Sequence, residues 1–111
     1  LAAEQGEVGA QYNLGVMYYN GQGVPQNYAE AVRWHRLAAE QGYAVAQYNL
    51  GRMCFLGQGV PEDYVQAHER INLAASRLTG EWRQRAVENR DLAASLMTPA
   101  DLSEAQRLAR G

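Results

Sequence analysis

One stretch of sequence occurs twice in this chain and constrains its fold more than any other feature. Residues 10–25 read AQYNLGVMYYNGQGVP, and residues 46–61 read AQYNLGRMCFLGQGVP, 36 residues later. When residues 1–36 are aligned with residues 37–72 without a gap, 20 of the 36 positions are identical. Self-similarity at a fixed period of about 20–50 residues is typical of stacked repeats, so we expect a repeat architecture.

Each copy is predicted to contain two helices, of which the first, helix A, spans residues 8–20 and again residues 44–56. Apolar side chains recur there at a helical period. They are Ala10, Leu14, Met17 and Tyr18, and in the second copy Ala46, Leu50, Met53 and Cys54. Gly21 and Gly57 suit the left-handed position that ends a helix. The proline of each GQGVP link prevents the helix from continuing.

The second helix of each copy, helix B, is predicted to begin after a capping residue. Asn27 precedes Glu30 by three positions and Asp63 precedes Gln66 by three, which fits a capping box at a helix N-terminus. Small and apolar residues then share one face of each helix B. They are Ala31, Trp34, His35, Ala38 and Ala39, followed in the second copy by Ala67, Ile71, Ala74 and Ala75.

Glycines also lie inside both A helices, at Gly15 and Gly51. A glycine in a helix interior costs about 1 kcal/mol relative to alanine. Because it recurs at the same point, we expect a neighbouring helix to approach there too closely for a Cβ atom. The alanine pairs at 38–39 and 74–75 are predicted to supply that close face.

The pattern changes after residue 76, and no third GQGVP link follows. Residues 80–97 are predicted to form one long helix. Thr98, Pro99 and Asp101 then have the order of an N-cap, a first-turn proline and a first-turn acid, which predicts a final helix. Terminal repeats are atypical because one side faces water. We therefore expect one domain, 1–111, made of the tail of a preceding helix B at 1–6, repeat 1 at about 7–42, repeat 2 at about 43–78 and a C-terminal cap at about 80–111.

Length, charge and cysteine content exclude several function classes. The protein has 111 residues, a formal net charge of -2 and no basic cluster, so we expect no nucleic-acid partner. No apolar run reaches the length of a membrane span, so we expect no membrane insertion. Cys54 is the single cysteine, which rules out an internal disulfide and a multi-cysteine zinc site. We expect no metal and no cofactor.

These residues resemble the SEL-one-like repeat family, a relative of the tetratricopeptide repeat. The resemblance covers residues 1–75 and rests on LAAEQG, on the twin glycines of GQGVP and on positions shared by both copies. The signature residues are Leu14, Gly15, Tyr18, Gly21, Gly23, Leu50, Gly51, Gly57 and Gly59. The sequence departs from the pattern at Arg70 and His68, where the first copy has Trp34 and Val32. The ending is similar to tails that follow such repeats in bacterial proteins.

The resemblance implies an all-α fold: a right-handed α/α superhelix of antiparallel helix pairs, with a C-terminal capping helix pair and with the A helices lining a concave face. The implied role is that of an adaptor or scaffold for other proteins. The candidate partner-binding residues on the concave face are Tyr12, Asn13, Val16, Tyr19, Tyr48, Asn49, Arg52 and Phe55. For Tyr12 and Tyr48, which are identical in both copies, a structural role has at least equal weight. Tyr19, Arg52 and Phe55 differ between the copies and favour binding, since Tyr and Arg often dominate binding energy.

No pattern in the sequence indicates catalysis. His35 and His68 have no second histidine at metal-binding spacing and no nucleophile pattern. His35 aligns with Ile71 and is expected to be a structural histidine, while Cys54 aligns with Tyr18 and is expected in the core. The GQGVP links lack the Lys-Ser/Thr of a phosphate-binding loop and are interpreted as turns.

The sequence therefore predicts a non-catalytic module that binds a peptide or a partner protein along its A helices. The alternative is a small-molecule or cell-wall-fragment binder, or a hydrolase of β-lactam-type ligands, in the same groove. A third possibility is a structural spacer within a longer array. The sequence starts without Met and in the middle of the pattern, which we interpret as a fragment or a mature form, and the compartment stays open between cytoplasm, periplasm and secretion.

The N-terminal end is predicted to be uncapped. Leu1, Ala2 and Ala3 match the packing face of a helix B whose helix A is absent from the sequence. Solenoids usually need about three repeats to bury a continuous core. We therefore expect this end to expose apolar surface and to contact further repeats or another protein, including a second copy.

Overall fold

The protein, in a computed structural model, is a stack of α-helices, and the structure describes residues 6–110. In that range it contains six helices and no strand, which confirms the predicted all-α class. They are α1 (Val8–Asn20), α2 (Tyr28–Glu40), α3 (Ala44–Leu56), α4 (Tyr64–Ala75), α5 (Gly80–Ser95) and α6 (Pro99–Arg110). Residues 1–5 of the predicted tail of a preceding helix B, which include Leu1 to Ala3, lie outside the described residues.

Glycine ends α1 and α3, the two A helices, as the sequence predicts. Gly21 has φ 71° and Gly57 has φ 69°, a left-handed conformation that glycine adopts without a steric penalty. The backbone N–H of Gly21 donates to the carbonyl of Met17, and that of Gly57 donates to the carbonyl of Met53. These bonds satisfy carbonyl groups that a helix end leaves without a partner.

The predicted capping residues begin α2, α4 and α6. The Oδ1 atom of Asn27 accepts a hydrogen bond from the backbone N–H of Glu30 at 3.1 Å, and Asp63 accepts one from Gln66 at 3.0 Å. At α6 the box is reciprocal, because Thr98 Oγ1 accepts from the N–H of Asp101 at 3.1 Å and the Asp101 carboxylate accepts from the N–H of Thr98 at 3.2 Å. Caps formed by these side chains therefore fix where α2, α4 and α6 start.

Consecutive helices from α1 to α5 pack against one another and form an elongated solenoid of 44 × 25 × 25 Å. The last helix departs from the expected arrangement. Its main neighbour is α4 rather than α5, so α5 and α6 both pack on α4 instead of forming a helix pair of their own. No helix within residues 6–110 is long and apolar enough to cross a membrane.

Two clusters of buried side chains hold the stack together. One joins α2 to α3 through Ala31, Val32, Leu50 and Met53. The other joins α3, α4 and α5 and contains Tyr48, Ile71, Ala74, Ala75, Leu78 and Ala86. Each cluster spans a boundary between consecutive helix pairs, as expected where stacked repeats bury one continuous core.

Glycine sets how closely each A helix approaches its B helix. A Cβ atom placed on Gly15 would lie 2.8 Å from Cε1 and Nδ1 of His35, and one placed on Gly51 would lie 2.6 Å from Cγ1 of Ile71. The prediction of a close approach is therefore confirmed. Its partner differs from the expected alanine pairs, because His35 and Ile71 occupy the space opposite the glycines.

We expect Gly51→Ala to lower the free energy of unfolding by about 1–2 kcal/mol, although alanine favours a helix by about 1 kcal/mol. The added methyl group would overlap Ile71, which is fully buried. Urea denaturation measures the effect. The matched control is Gly9→Ala, since a Cβ on Gly9 of α1 meets no atom of residues 6–110 within 4 Å. Equal stability of the two variants would contradict the close-approach interpretation.

Candidate binding face on helices α1, α3 and α5

One face of the stack is formed by side chains of α1, α3 and α5, and we call it the inner face. On α1, Tyr12, Val16 and Tyr19 follow one another at spacings of four and three, which places them on one side of the helix. On α3, Asn49 and Arg52 are three residues apart and share a side in the same way. Helical spacing thus brings five of the predicted site residues onto one surface.

A cavity of about 180 Å³ opens on the inner face between α1 and α3. Its walls are Tyr12, Val16, Tyr19, Asn20, His35, Asn49, Arg52 and Met53. Five of these eight residues were predicted from the sequence. The other three are Asn20, His35 and Met53. Asn20 lies four positions after Val16 and Met53 lies four after Asn49, so extending each stripe by one helical turn would have found both.

Tyr12 forms one wall of the cavity and is held by three neighbouring residues. Its ring centroid lies 5.0 Å from that of Tyr43 and 5.6 Å from that of His35. Burial raises the pKa of the Tyr12 hydroxyl, an effect that its hydrogen bond with Asn49 partly offsets. The phenol therefore stays neutral at pH 7 and holds Asn49 in place at the cavity wall.

Tyr19 and Phe55 occupy the same position in the two copies and make the same ring contact. Tyr19 lies 5.2 Å from Tyr28, and Phe55 lies 5.4 Å from Tyr64. The Tyr19 hydroxyl also donates to Oε1 of Gln58 at 2.7 Å, which ties α1 to the second GQGVP link. Tyr19 borders the cavity, whereas Phe55 lies beyond it.

Two other predicted residues lie away from the cavity. Tyr48 is only 3% exposed and belongs to the core, because α5 covers it: Asn89 donates to its hydroxyl at 3.0 Å and the Trp82 ring contacts it edge-on at 5.9 Å. The structure thus places Tyr48 in a structural position rather than on the surface. Asn13 is exposed on α1 and is not part of the cavity wall.

His35 forms the rear of the cavity and is almost fully buried, at 1% exposure. Its Nδ1 atom has no hydrogen-bond partner in the described part of the protein. Burial lowers the pKa of His35 to about 4, because the apolar surroundings disfavour the charged imidazolium. The ring is therefore neutral at pH 7, and Arg52 is the one charged group on the cavity wall.

The ionisable groups of this wall are two tyrosines, one histidine and one arginine. None of the eight lining residues is an acid, a serine or a cysteine, so the wall contains neither a carboxylate pair nor the commonest nucleophiles. Cys54 is buried elsewhere, as predicted, and burial raises the pKa of its thiol, so it is a poor nucleophile. Among residues 6–110, no group of three or more His, Cys, Asp or Glu side chains is placed to hold a metal ion.

Comparisons with known proteins agree with this architecture. The Sel1 repeat family model matches residues 8–43 and 44–69. The structure is similar, at a TM-score of 0.85 and 37% identity, to a protective antigen of uropathogenic Escherichia coli strains that displays an SLR fold; the match covers 96% of this protein and 22% of that one. A Sel1 repeat protein from Oxalobacter formigenes matches at a TM-score of 0.72 and 39% identity over 78% of this protein and 65% of its own length. The sequence has no significant match among curated proteins.

Because His35 is buried and neutral in the folded protein, we expect the free energy of unfolding to depend on pH. Between pH 6.5 and about 4 the unfolded protein binds a proton at this residue and the folded protein does not, so stability falls as the pH falls through this range. The loss approaches about 3 kcal/mol when the pH reaches the folded pKa. Urea denaturation at a series of pH values measures it.

The matched variant is His35→Ile, which places at this site the residue found at the corresponding position of the second copy, Ile71. We expect its stability to depend less steeply on pH. His68, whose pKa is also lowered, first by burial and then by Arg90, remains in both proteins and contributes equally to both curves. Identical slopes in the two proteins would show that His35 is not the responsible group.

Proposed function

Because the chain belongs to the Sel1 repeat family, whose members are generally protein-interaction modules of helical repeats, we propose that it binds a peptide or a segment of a partner protein on its inner face. The module works without catalysis: it holds its partner and performs no chemistry on it. The sequence spans 22% and 65% of the lengths of the two similar structures, so this proposal concerns the repeat module alone.

The cavity between α1 and α3 is the observation that carries this proposal. It lies where the two copies meet, and its walls include a position at which they differ, Val16 in the first and Arg52 in the second. Positions shared by both copies build the stack, whereas positions that differ are free to determine specificity. Tyr, Arg and Met side chains, all present at this cavity, are enriched in protein interfaces.

The size and lining of the cavity favour a peptide over a free small molecule. Pockets for drug-sized ligands usually measure about 300–1,000 Å³. A cavity of about 180 Å³ is smaller and suits one side chain or one polypeptide terminus. Its lack of acids and nucleophiles gives no support to hydrolysis of a cell-wall or β-lactam-type ligand.

We expect the triple substitution Tyr19→Ala, Arg52→Ala and Phe55→Ala to abolish capture of the partner, because it removes the differing residues of the inner face. The measurement is affinity capture from a lysate of the source cells, with quantitative mass spectrometry. Thermal denaturation must accompany it, since Tyr19 and Phe55 also contact Tyr28 and Tyr64.

The matched control replaces three exposed residues of the B helices, Arg36, Glu40 and Glu69, by alanine. We expect this control to capture the same proteins as the parent protein. If the inner-face triple variant is folded and its set of captured proteins is unchanged, the inner face is not the binding surface.

The side of α1 that corresponds to the α2-facing side of α3 is a second surface for association. Among the described residues Leu14 is only half-buried there, whereas its counterpart Leu50 is buried in a cluster with Ala31 and Val32 of α2. We propose that this side packs against a second copy of the protein. Concentration-dependent self-association in sedimentation velocity is the expected result, and Leu14→Gln should weaken it. A monomer at every concentration would refute this proposal and leave the inner-face proposal intact.

A further inference from the structure

Arg52 lies at a cavity whose wall contains no carboxylate, unlike the arginines that form ion pairs. Arg33 lies 3.4 Å from Glu30 and Arg90 lies 3.2 Å from Asp91, so these charges are offset within the molecule. Arg52 is exposed, and the ion pairs found within residues 6–110 join Arg33, Arg90 and Arg107, not Arg52, to carboxylates. It nevertheless borders a cavity, where a guanidinium is less surrounded by water than on an open helix surface.

The side chains around Arg52 provide hydrogen-bond donors, and none of them offsets its positive charge at the cavity. Asn20 and Asn49 supply side-chain amides, Tyr12 and Met53 supply apolar surface, and the neutral His35 adds no charge. The cavity wall contains no carboxylate. A ligand therefore meets one fixed positive charge flanked by amide groups.

Beyond the cavity the nearby charges balance. Arg52 from α3 and both Arg85 and Glu88 from α5 act on the Tyr48 hydroxyl, so apart from Arg52 itself one cation and one anion are present. Arg85 lies over the Trp82 ring, 5.3 Å from its centroid. The whole protein has a net charge of -2, so attraction of an anion has to come from Arg52 at the cavity.

The outer side of the stack shows the opposite arrangement. A cavity between α2 and α4 is lined by Arg36 and Arg70, but also by Glu62 and Asp63. Cations and anions are balanced there within one site. Arg36 is therefore a suitable control, as an exposed arginine at a cavity that already contains carboxylates.

We propose that the inner-face cavity binds one carboxylate of a peptide or protein partner, held by the Arg52 guanidinium and the side-chain amides of Asn20 and Asn49. The planar guanidinium matches a carboxylate through two parallel hydrogen bonds, which gives both strength and orientation. The volume of about 180 Å³ accommodates a group of this size together with the carbon atoms that carry it. The carboxylate belongs either to an Asp or Glu residue of the partner or to the partner's C-terminus. This inference rests on the proposed function and specifies the chemistry of its partner.

Capped amino acids test this inference without knowledge of the partner. The probes are N-acetyl-glutamate N′-methylamide for an acidic residue, N-acetylglycine for a C-terminus, and N-acetyl-glutamine N′-methylamide as the neutral counterpart. Each is titrated into the ¹⁵N-labelled protein and followed by NMR at the Nε–H of Arg52 and the side-chain amides of Asn20 and Asn49. We expect saturable shifts with at least one carboxylate probe and none with the glutamine probe. The tighter of the two carboxylate probes identifies the source.

The variants give the quantitative readout. We expect Arg52→Gln to weaken binding of the carboxylate probe by about tenfold or more, because it removes a charge-assisted pair. We expect Arg36→Gln to leave the affinity unchanged. Unaltered amide spectra away from residue 52 show that the variant is folded.

Three results would overturn the inference: equal affinity in the Arg52→Gln variant, no saturable shift with either carboxylate, or tighter binding of inorganic phosphate than of both carboxylates. Failure here is distinct from failure of the proposed function. If the inner-face triple variant loses its captured proteins while the carboxylate probes do not bind, the partner uses the inner face through another chemistry.

Discussion

The approach of helix A to helix B at a glycine is the contact on which the rest of this structure depends. At Gly15 and at Gly51 the absence of a Cβ atom allows His35 and Ile71 to lie directly against the backbone of the facing helix. A helix interior accepts a glycine at a cost of about 1 kcal/mol, which closer packing of the buried neighbour offsets. Because the approach is the same in both copies, the two helix pairs have the same geometry and stack in register.

This contact also shapes the inner face. In the first copy the residue opposite the glycine is a histidine, and its ring forms the rear of the cavity between α1 and α3. In the second copy it is Ile71, which is buried in the core with Tyr48. One packing position therefore serves two purposes, as a polar wall in one copy and as an apolar core in the other. The difference lies in the side chain, since the backbone arrangement is shared.

Because the two copies share most of their residues, the positions at which they differ are the ones that can distinguish one partner from another. Residues common to both copies are needed by every unit of the stack and are unrelated to any particular partner. Residues that differ between the copies, such as Arg52 in place of Val16, are not needed to build every unit of the stack. Arg52 adds a charge at the boundary between the copies, where α1 and α3 line one cavity, and this is the site at which we propose that a partner is recognised.

The sequence by itself determined the helices and their ends, because capping residues, glycines and apolar periodicity act within about one helical turn. Tertiary structure alone decided which of these residues are covered. Tyr12 and Tyr48 lie in the same AQYNLG motif, yet α5 buries Tyr48 and leaves Tyr12 at the cavity. The position of α6 on α4 and the exposure of Arg52 follow from packing between helices distant in sequence. Such contacts depend on how the whole stack packs, so no local sequence pattern predicts them.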